Sequence, residues 1–364
     1  MQRHDLMKKI RCAVIGAGWW GTTAHVPALA KHPQADLVAI QHQDEATSRR
    51  VASDFDVPNA CTTHEQVLDI DGLEAVAISS PAFLHYPQVR AALEQGLHVL
   101  VEKPMALSVE QSQELVDLAA ARQRELIVGC TYQYTAHAAE ARRLVREGVL
   151  GRITMISIDM ADWVLPLYLG PKVEPEKAHV SVGAYVAPGT SSYSDTAIAG
   201  GGQVFTQVSH PGAYIPFLTG ADPECVHAQF DNLDTDVDVL NVINARYDNG
   251  MLVSLTTNGA STAKCVYDVK VYGTEGALVL GLNTGTMQQW NAERKLQEHA
   301  PLQETYPRWA PATNLIEVAL GKAINGAPGT HGLSALKLIE AACESSRTGR
   351  MVELSSHGNE SRAT

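Results

Sequence analysis

Ile10-Arg11-Cys12-Ala13-Val14-Ile15-Gly16-Ala17-Gly18-Trp19-Trp20-Gly21 stands near the start of the 364-residue chain. Its first six residues are a short apolar run that reads as a buried strand, and the next six carry glycine at the first, third and sixth places. A strand, a G-x-G-x-x-G turn and then a helix is the context in which this spacing binds a dinucleotide. Gly16 permits the tight turn, Gly18 lets the backbone approach a pyrophosphate, and Gly21 allows close helix packing. The amino end of the helix then offers N–H groups to the phosphates. Trp19 and Trp20 either shield the nucleotide groove or fill the core between domains. Glycines also make ordinary turns, so the reading has to be carried by the rest of the chain.

The chain that follows alternates strand and helix. A second strand, Asp36 to Gln41, ends at His42, where an acidic side chain would hydrogen-bond the ribose 2′-hydroxyl and repel a 2′-phosphate. Asp44 could still reach the ribose, Arg49 and Arg50 could meet a phosphate, or the arginines could be a solvated helix face. A third strand is faint before Thr62, and His64 to Asp69 reads as a short helix. A fourth strand, Ala75 to Ile78, runs into Ser79-Ser80-Pro81, which places Ser79 and Pro81 at a strand carboxyl end facing the nucleotide. His85 opens the next helix, to Gln95, as a cap or a cofactor-side contact.

Leu97 to Val101 is the fifth strand and turns into Glu102-Lys103-Pro104. Ligands of open parallel sheets bind at strand carboxyl ends, so Glu102 and Lys103 are candidates for cofactor contact and chemistry; the alternative is a surface lysine in an ordinary loop. A capped helix, Ser108 to Arg124, and a last strand, Leu126 to Cys130, complete a doubly wound α/β sheet over residues 9–130.

Beyond Tyr132 the grammar changes. A helix from Ala138 to Glu147 gives way to strand-like runs at Ile153–Met160, Cys225–Phe230, Val237–Tyr247, Met251–Thr257 and Tyr267–Tyr272, with Asp248-Asn249-Gly250 as a hairpin turn. Consecutive strands joined by turns make an antiparallel sheet, so 131–354 is expected to be an α+β domain whose outer sheet face is a candidate for self-association. Leu165 to Ala199 is a long irregular insert, expected to cover substrate. Two amphipathic helices are expected between Pro311 and Leu354, and 355–364 reads as a loose tail.

Composition narrows the class. A net charge of −12 supplies no basic field for nucleic acid or an anionic membrane. No apolar run approaches the length of a membrane span, and no leader pattern precedes the first strand, so a cytoplasmic location is expected. The six cysteines are scattered, with no CxxC pair and no His cluster at zinc spacing, which reads as reduced buried thiols and no metal site.

Four stretches resemble the glucose–fructose oxidoreductase and inositol dehydrogenase family, Gfo/Idh/MocA: GAGWWG at 16–21, ISSPAFLHYPQVRAALEQGLHVLVEKPMA at 78–106, GGGQVFTQVSHPGAYIPFLTG at 200–220, and EAACESSRTGRMVEL at 340–354. The resemblance implies a Rossmann domain followed by an α+β domain with a large, mostly antiparallel open sheet. It implies NAD(H), with NADP(H) left open, a carbohydrate-like substrate, and a homodimer or homotetramer. In such enzymes the lysine of Glu-Lys-Pro, here Lys103, contacts the cofactor ribose and the reacting hydroxyl, and the histidine after the glycines, here His210, acts as or assists the general base. An Asp commonly lies four residues before that histidine; here the position is Thr206, beside Gln207. Thr offers only a neutral hydrogen bond, so either Lys103 carries more of the base role or a carboxylate such as Asp195 or Asp162 comes from elsewhere. Tyr132, Gln133, Tyr193, Thr206, Gln207 and His210 are the candidate substrate contacts. For Tyr132, Gln133, Tyr185 and Tyr193 packing is the competing reading, and for Lys172, Lys177 and Lys264 a solvated surface competes with an anionic substituent.

The expected activity is oxidation of a secondary hydroxyl of a sugar, cyclitol or glycoside. A redox-neutral glycosidase that uses bound NAD for transient oxidation, and a non-catalytic nucleotide-binding sensor, are the alternatives.

Overall fold

The structure is a computed structural model describing residues 8–172, 185–189, 191–262 and 265–354. Lys177, Lys264, the 355–364 tail and residues 173–184 of the long insert lie outside the described residues, as does the side chain of Lys172. The described residues fall into two compact units, one drawn from 1–134, 181–192 and 307–330, the other from 135–180, 193–306 and 331–364.

The first unit is built on a six-stranded parallel sheet in the order β3-β2-β1-β4-β5-β6. The strands are β1 (Ile10–Ile15), β2 (Ala35–Gln41), β3 (Asn59–Cys61), β4 (Ala75–Ile78), β5 (His98–Val101) and β6 (Leu126–Val128). β1, β4 and β5 are almost wholly buried, which is why they read as continuous apolar runs. Side-chain caps start the helices between them. Asp44 accepts from Thr47 N–H to open α2 (Glu45–Asp54), Thr63 forms a capping box with Gln66 at α3 (His64–Leu68), and Ser108 accepts from Gln111 N–H at α5 (Val109–Arg122). The first helix is α1 (Val26–Lys31), preceded by a π-helical turn over Gly21–His25, and α4 (His85–Glu94) lies between β4 and β5. The chain returns to this unit late: Val128 N–H donates to Ala327 at 2.8 Å.

Register decides what this sheet presents. Ile15 pairs with both Gln41 and Ile78, Gln41 with Cys61, Ile78 with Val101, and Val101 with Val128. The strands therefore end level, and the residues that follow them, His42, Gly16, Ser79, Glu102 and Gly129, line one carboxyl edge. Strand order reverses between β1 and β4, the crevice at which open α/β sheets bind ligands.

The second unit carries a nine-stranded sheet. Its strands are β7 (Ile153–Ala161), β8 (Pro223–Asp231), β9 (Leu240–Tyr247), β10 (Leu252–Asn258), β11 (Val266–Gly273), β12 (Gly276–Gly281), β13 (Thr286–Asn291), β14 (Leu296–Glu298) and β15 (Val352–Glu353). They run in the order β14-β13-β12-β11-β7-β10-β9-β8-β15, antiparallel except for the β7–β10 pair. β12 to β15 go beyond the five runs legible in the sequence. The strand expected from Val237 begins at Leu240, because Asp238 turns aside to hold the glycine turn at 200–202. Helix α6 (Ala136–Arg146) starts two residues before Ala138, at a Thr135 cap. The described ends of the insert are helical, α7 (Leu165–Leu169) and α8 (Thr196–Ala199). Then come α9 (Gln203–Thr206) and α10 (Ser209–Thr219), the latter buried from Ser209 to Leu218. α11 (Ala310–Ala319) belongs to the first unit and most of α12 (Gly329–Thr348) to the second.

Candidate active site

The three glycines of the β1 turn differ in surroundings. Gly16 has φ +84, and a Cβ there would lie 2.3 Å from Ser80 N. Its N–H donates to the Gln41 carbonyl and to Gln41 Oε1, at 3.1 and 3.0 Å. A Cβ at Gly21 would lie 2.4 Å from the Gly16 carbonyl oxygen, whereas one at Gly18 would meet nothing within 4 Å. One glycine makes the turn, one makes the packing, and the middle one leaves its side open at the start of the helical run 19–31. This open cradle at a helix amino end fits a dinucleotide pyrophosphate.

At the end of β2, His42 Nδ1 accepts from Asp44 N–H at 3.1 Å, and Asp44 Oδ1 accepts from Thr47 N–H at 2.7 Å. The Thr47 hydrogen bond holds the exposed Asp44 carboxyl below its usual range. Arg49 is ion-paired with Glu45 at 2.5 Å, and Arg50 lies 4.8 Å over the Tyr185 ring, whose hydroxyl donates to Asp54. Both arginines thus have partners of their own.

The ends of β4 and β5 are tied together. The Ser79 hydroxyl donates to the Gly16 carbonyl at 2.8 Å. His85 is buried with Nδ1 2.7 Å from the Pro104 carbonyl and Nε2 2.8 Å from the Ser80 carbonyl. Burial pulls its pKa down, against the pull of both carbonyls. A neutral ring carries one proton, so it donates to one of these at a time. Pro81 stands between them as the residue before a 3₁₀ turn. Glu102 is buried and accepts from Trp20 Nε1 at 2.8 Å and from His25 Nε2 at 2.9 Å. Burial pushes its pKa up, but the hydrogen bond and charge of His25 and the charge of Lys103 outweigh that and hold it low. Lys103, half-buried, joins Pro104 through a cis peptide. Gln133 is buried and Tyr132 half-buried on a 3₁₀ turn after β6.

In the second unit a buried polar network surrounds the triple glycine. The Asp238 carboxylate accepts from Gly202 N–H at 2.9 Å, Val204 N–H at 2.7 Å and Asn241 Nδ2 at 2.8 Å. A Cβ at Gly202 would lie 2.0 Å from the Asp238 carbonyl oxygen, so only glycine fits. The Tyr168 hydroxyl lies 2.5 Å from Thr206 Oγ1 and 2.8 Å from Gln203 Oε1, and Thr206 donates to the Gly202 carbonyl at 2.8 Å. Burial pushes the Tyr168 hydroxyl well above its usual range. Tyr193 packs against the cluster of Tyr168, Val237 and Val239. His210 is buried in the first turn of α10, and half-buried Gln207 precedes it. Asp195 is exposed and caps α8, while Asp162 faces the Cys265 thiol. The buried carboxylate of this region is Asp238.

Sequence reasoning did not single out His25, Gln41, Gly129, Tyr168 or Asp238. The available signals were a histidine on the first helix, and a lone charge between Val237 and Val239. Among the described residues no group of three or more His, Cys, Asp or Glu side chains could hold a metal ion, and no helix is long and apolar enough to cross a membrane.

Comparison with known proteins agrees with this fold. Residues 10–130 match the oxidoreductase family model with a NAD-binding Rossmann fold, and 138–279 match the GFO/IDH/MocA C-terminal domain. An uncharacterized oxidoreductase of Synechocystis sp. is 30% identical over 288 residues, 74% of this chain and 71% of that protein. The dTDP-3,4-didehydro-2,6-dideoxy-alpha-D-glucose 3-reductase of Streptomyces antibioticus is 34% identical over 149 residues, which span 41% of this chain and 45% of the reductase. Levoglucosan dehydrogenase in complex with NADH superimposes with a TM-score of 0.81 at 19% identity, over 95% of this chain and 99% of that one. The chain belongs to the Gfo/Idh/MocA family of oxidoreductases.

Proposed function

We propose that this enzyme oxidises a secondary hydroxyl of a sugar, cyclitol or glycoside, using NAD(H) in preference to NADP(H). The observation that carries the reading is the level carboxyl edge of the parallel sheet, on which Gly16, His42, Ser79 and the Glu102-Lys103 corner follow neighbouring strand ends. The nicotinamide, when bound, supplies the hydride-accepting carbon. The chain holds the pyrophosphate at Gly16, Gly18 and Gly21, flanked by Trp19 and Trp20, with Ser79, Pro81 and His85 beside it. Lys103 orients the substrate hydroxyl, and Lys103 or His210 takes its proton. Tyr132, Gln133, Tyr193, Thr206 and Gln207 contribute to the substrate site within 131–354, and 9–130 holds the nucleotide.

Preference for NAD(H) is supported by the exposed, low-pKa Asp44 carboxyl just after β2 and by the commitment of Arg49 to Glu45 and Arg50 to Tyr185. The named activities of the relatives, reduction of a nucleotide-linked keto sugar and oxidation of levoglucosan, support a carbohydrate substrate. Fluorescence titration with NADH and NADPH, followed by an absorbance assay with both oxidised cofactors against sugars, cyclitols and glycosides, tests this. Tighter NADH binding and reduction of NAD by a panel member are expected; failure to bind either nucleotide would end the reading.

A homodimer or homotetramer is proposed through the outer sheet face. Cross-strand partners place Leu252, Met155, Tyr272, Ala277, Trp290 and Leu296 in one row, of which Leu252, Met155, Tyr272 and Leu296 are exposed. Light scattering of Leu252→Glu should show smaller particles than the parent protein.

A further inference from the structure

Three segments of the first unit are shaped around one carboxylate. Glu102 is 7% exposed. Its Oε1 accepts from the Trp20 indole at 2.8 Å and from His25 Nε2 at 2.9 Å, and its Oε2 accepts from Lys103 N–H at 3.3 Å. The fourth wall is Gly129, just after β6. A Cβ there would lie 2.4 Å from Oε1, 2.6 Å from Cδ and 2.8 Å from Oε2, so that position must lack a side chain for the carboxylate to sit where it does. A buried carboxylate costs several kcal/mol unless its lone pairs are matched by donors. Here the donors come from inside the glycine turn and from the π-helical turn after it, 82 and 77 residues away in the chain.

The structure assigns Trp20, His25 and Gly129 to positioning: they seat Glu102 so that its carboxylate holds Lys103 in place and keeps a negative charge beside it. This rests on the reading of Lys103 as the reacting lysine, and it adds a reason for the glutamate that precedes it. Among the described residues, the ionisable groups facing Glu102 include His25 before α1, His85 at the start of α4, and Cys130 after β6, whose thiol is pushed up to about 12 by burial and by Glu102. Cys130 therefore stays protonated across neutral pH. An adjacent anion favours the ammonium form of a lysine. Removing or displacing it must shift Lys103 titration to lower pH, whether Lys103 serves as base or as cationic donor.

Competitive acylation of Lys103 by acetic anhydride, read by mass spectrometry against pH, measures this without any substrate. Glu102→Gln should lower the labelling midpoint by about a unit. Gly129→Ala, which keeps the charge but drives the carboxylate from its seat, should move it the same way. If Gly129→Ala does not fold, Glu102→Gln carries the test alone. A midpoint unchanged in folded Glu102→Gln would overturn the assignment. With a substrate in hand, Trp20→Phe should lower kcat about tenfold at saturating nucleotide; parent-like kcat would remove Trp20 from the clamp. Labelling reads Lys103 whether or not an alcohol turns over, so a silent substrate panel would count against the proposed function and leave this result standing.

Discussion

The Ser79 hydroxyl donates to the Gly16 carbonyl at 2.8 Å, tying the end of β4 to the turn after β1. Gly21 packs onto that bond, with its missing Cβ 2.4 Å from the Gly16 oxygen and 2.7 Å from Ser79 Oγ. Gly21→Ala should cost about 1–3 kcal/mol of stability through overpacking. Gly18→Ala, with nothing within 4 Å of its new Cβ, should melt within about 0.5 kcal/mol of the parent yet weaken NADH binding. Thermal melts and NADH titration of the two variants check the contrast; equal melts would count against the packing role of Gly21.

Lys103→Met keeps the length and apolar stem of the side chain and removes its charge. Turnover should be abolished while NADH binding is retained. Parent-like activity in that variant would exclude Lys103 from the chemistry.

One proton chain fits the Tyr168 network. Thr206 donates to the Gly202 carbonyl, so the 2.5 Å contact must be Tyr168 donating to Thr206. Among the described residues Gln203 Nε2 has no hydrogen-bond partner, and turning the amide so that Nε2 faces the Tyr168 oxygen satisfies the donors. Tyr168→Phe should therefore cost about 1–3 kcal/mol. It should also lower kcat through the Thr206 segment that leads to His210, with NADH affinity unchanged. Denaturant unfolding and steady-state kinetics read the two effects separately.

His331 is buried, and burial together with Arg142 and Arg146 lowers its pKa from 6.5 to about 4. The unfolded chain takes up its proton first, so stability is lost as pH falls from 6.5 towards 4, by about 3 kcal/mol in all. His331→Gln should flatten the stability profile over that window and leave the region above pH 6.5 as it was. Parallel profiles for parent and variant would contradict the assignment.

Strands β1, β4, β5 and β6 of the first sheet were legible because each is buried almost throughout and therefore a contiguous apolar run. The Glu-Lys-Pro corner and the glycine turn announced themselves by composition. β13 and β14 did not: Thr286-Met287-Gln288-Gln289-Trp290-Asn291 is mostly polar, and Leu296-Gln297-Glu298 is exposed throughout. The faint third strand proved to be three residues, Asn59–Cys61, with one buried side chain. What the sequence hides is pairing across distance. Nothing local marks His25 as the partner of Glu102, 77 residues on, or Tyr168 as the partner of Thr206, 38 residues on. The substitution of the usual Asp at Thr206 was visible, but the tyrosine that meets it was not.

The central claim is net hydride transfer from a carbinol carbon. Its most direct test is to incubate the purified protein with NAD and with NADP against the sugar, cyclitol and glycoside panel, reading reduced-cofactor absorbance and product mass together. The account predicts that reduced cofactor accumulates in step with a product lighter by two hydrogens. Release of an aglycone with no net reduced cofactor would contradict it and establish a redox-neutral glycosidase.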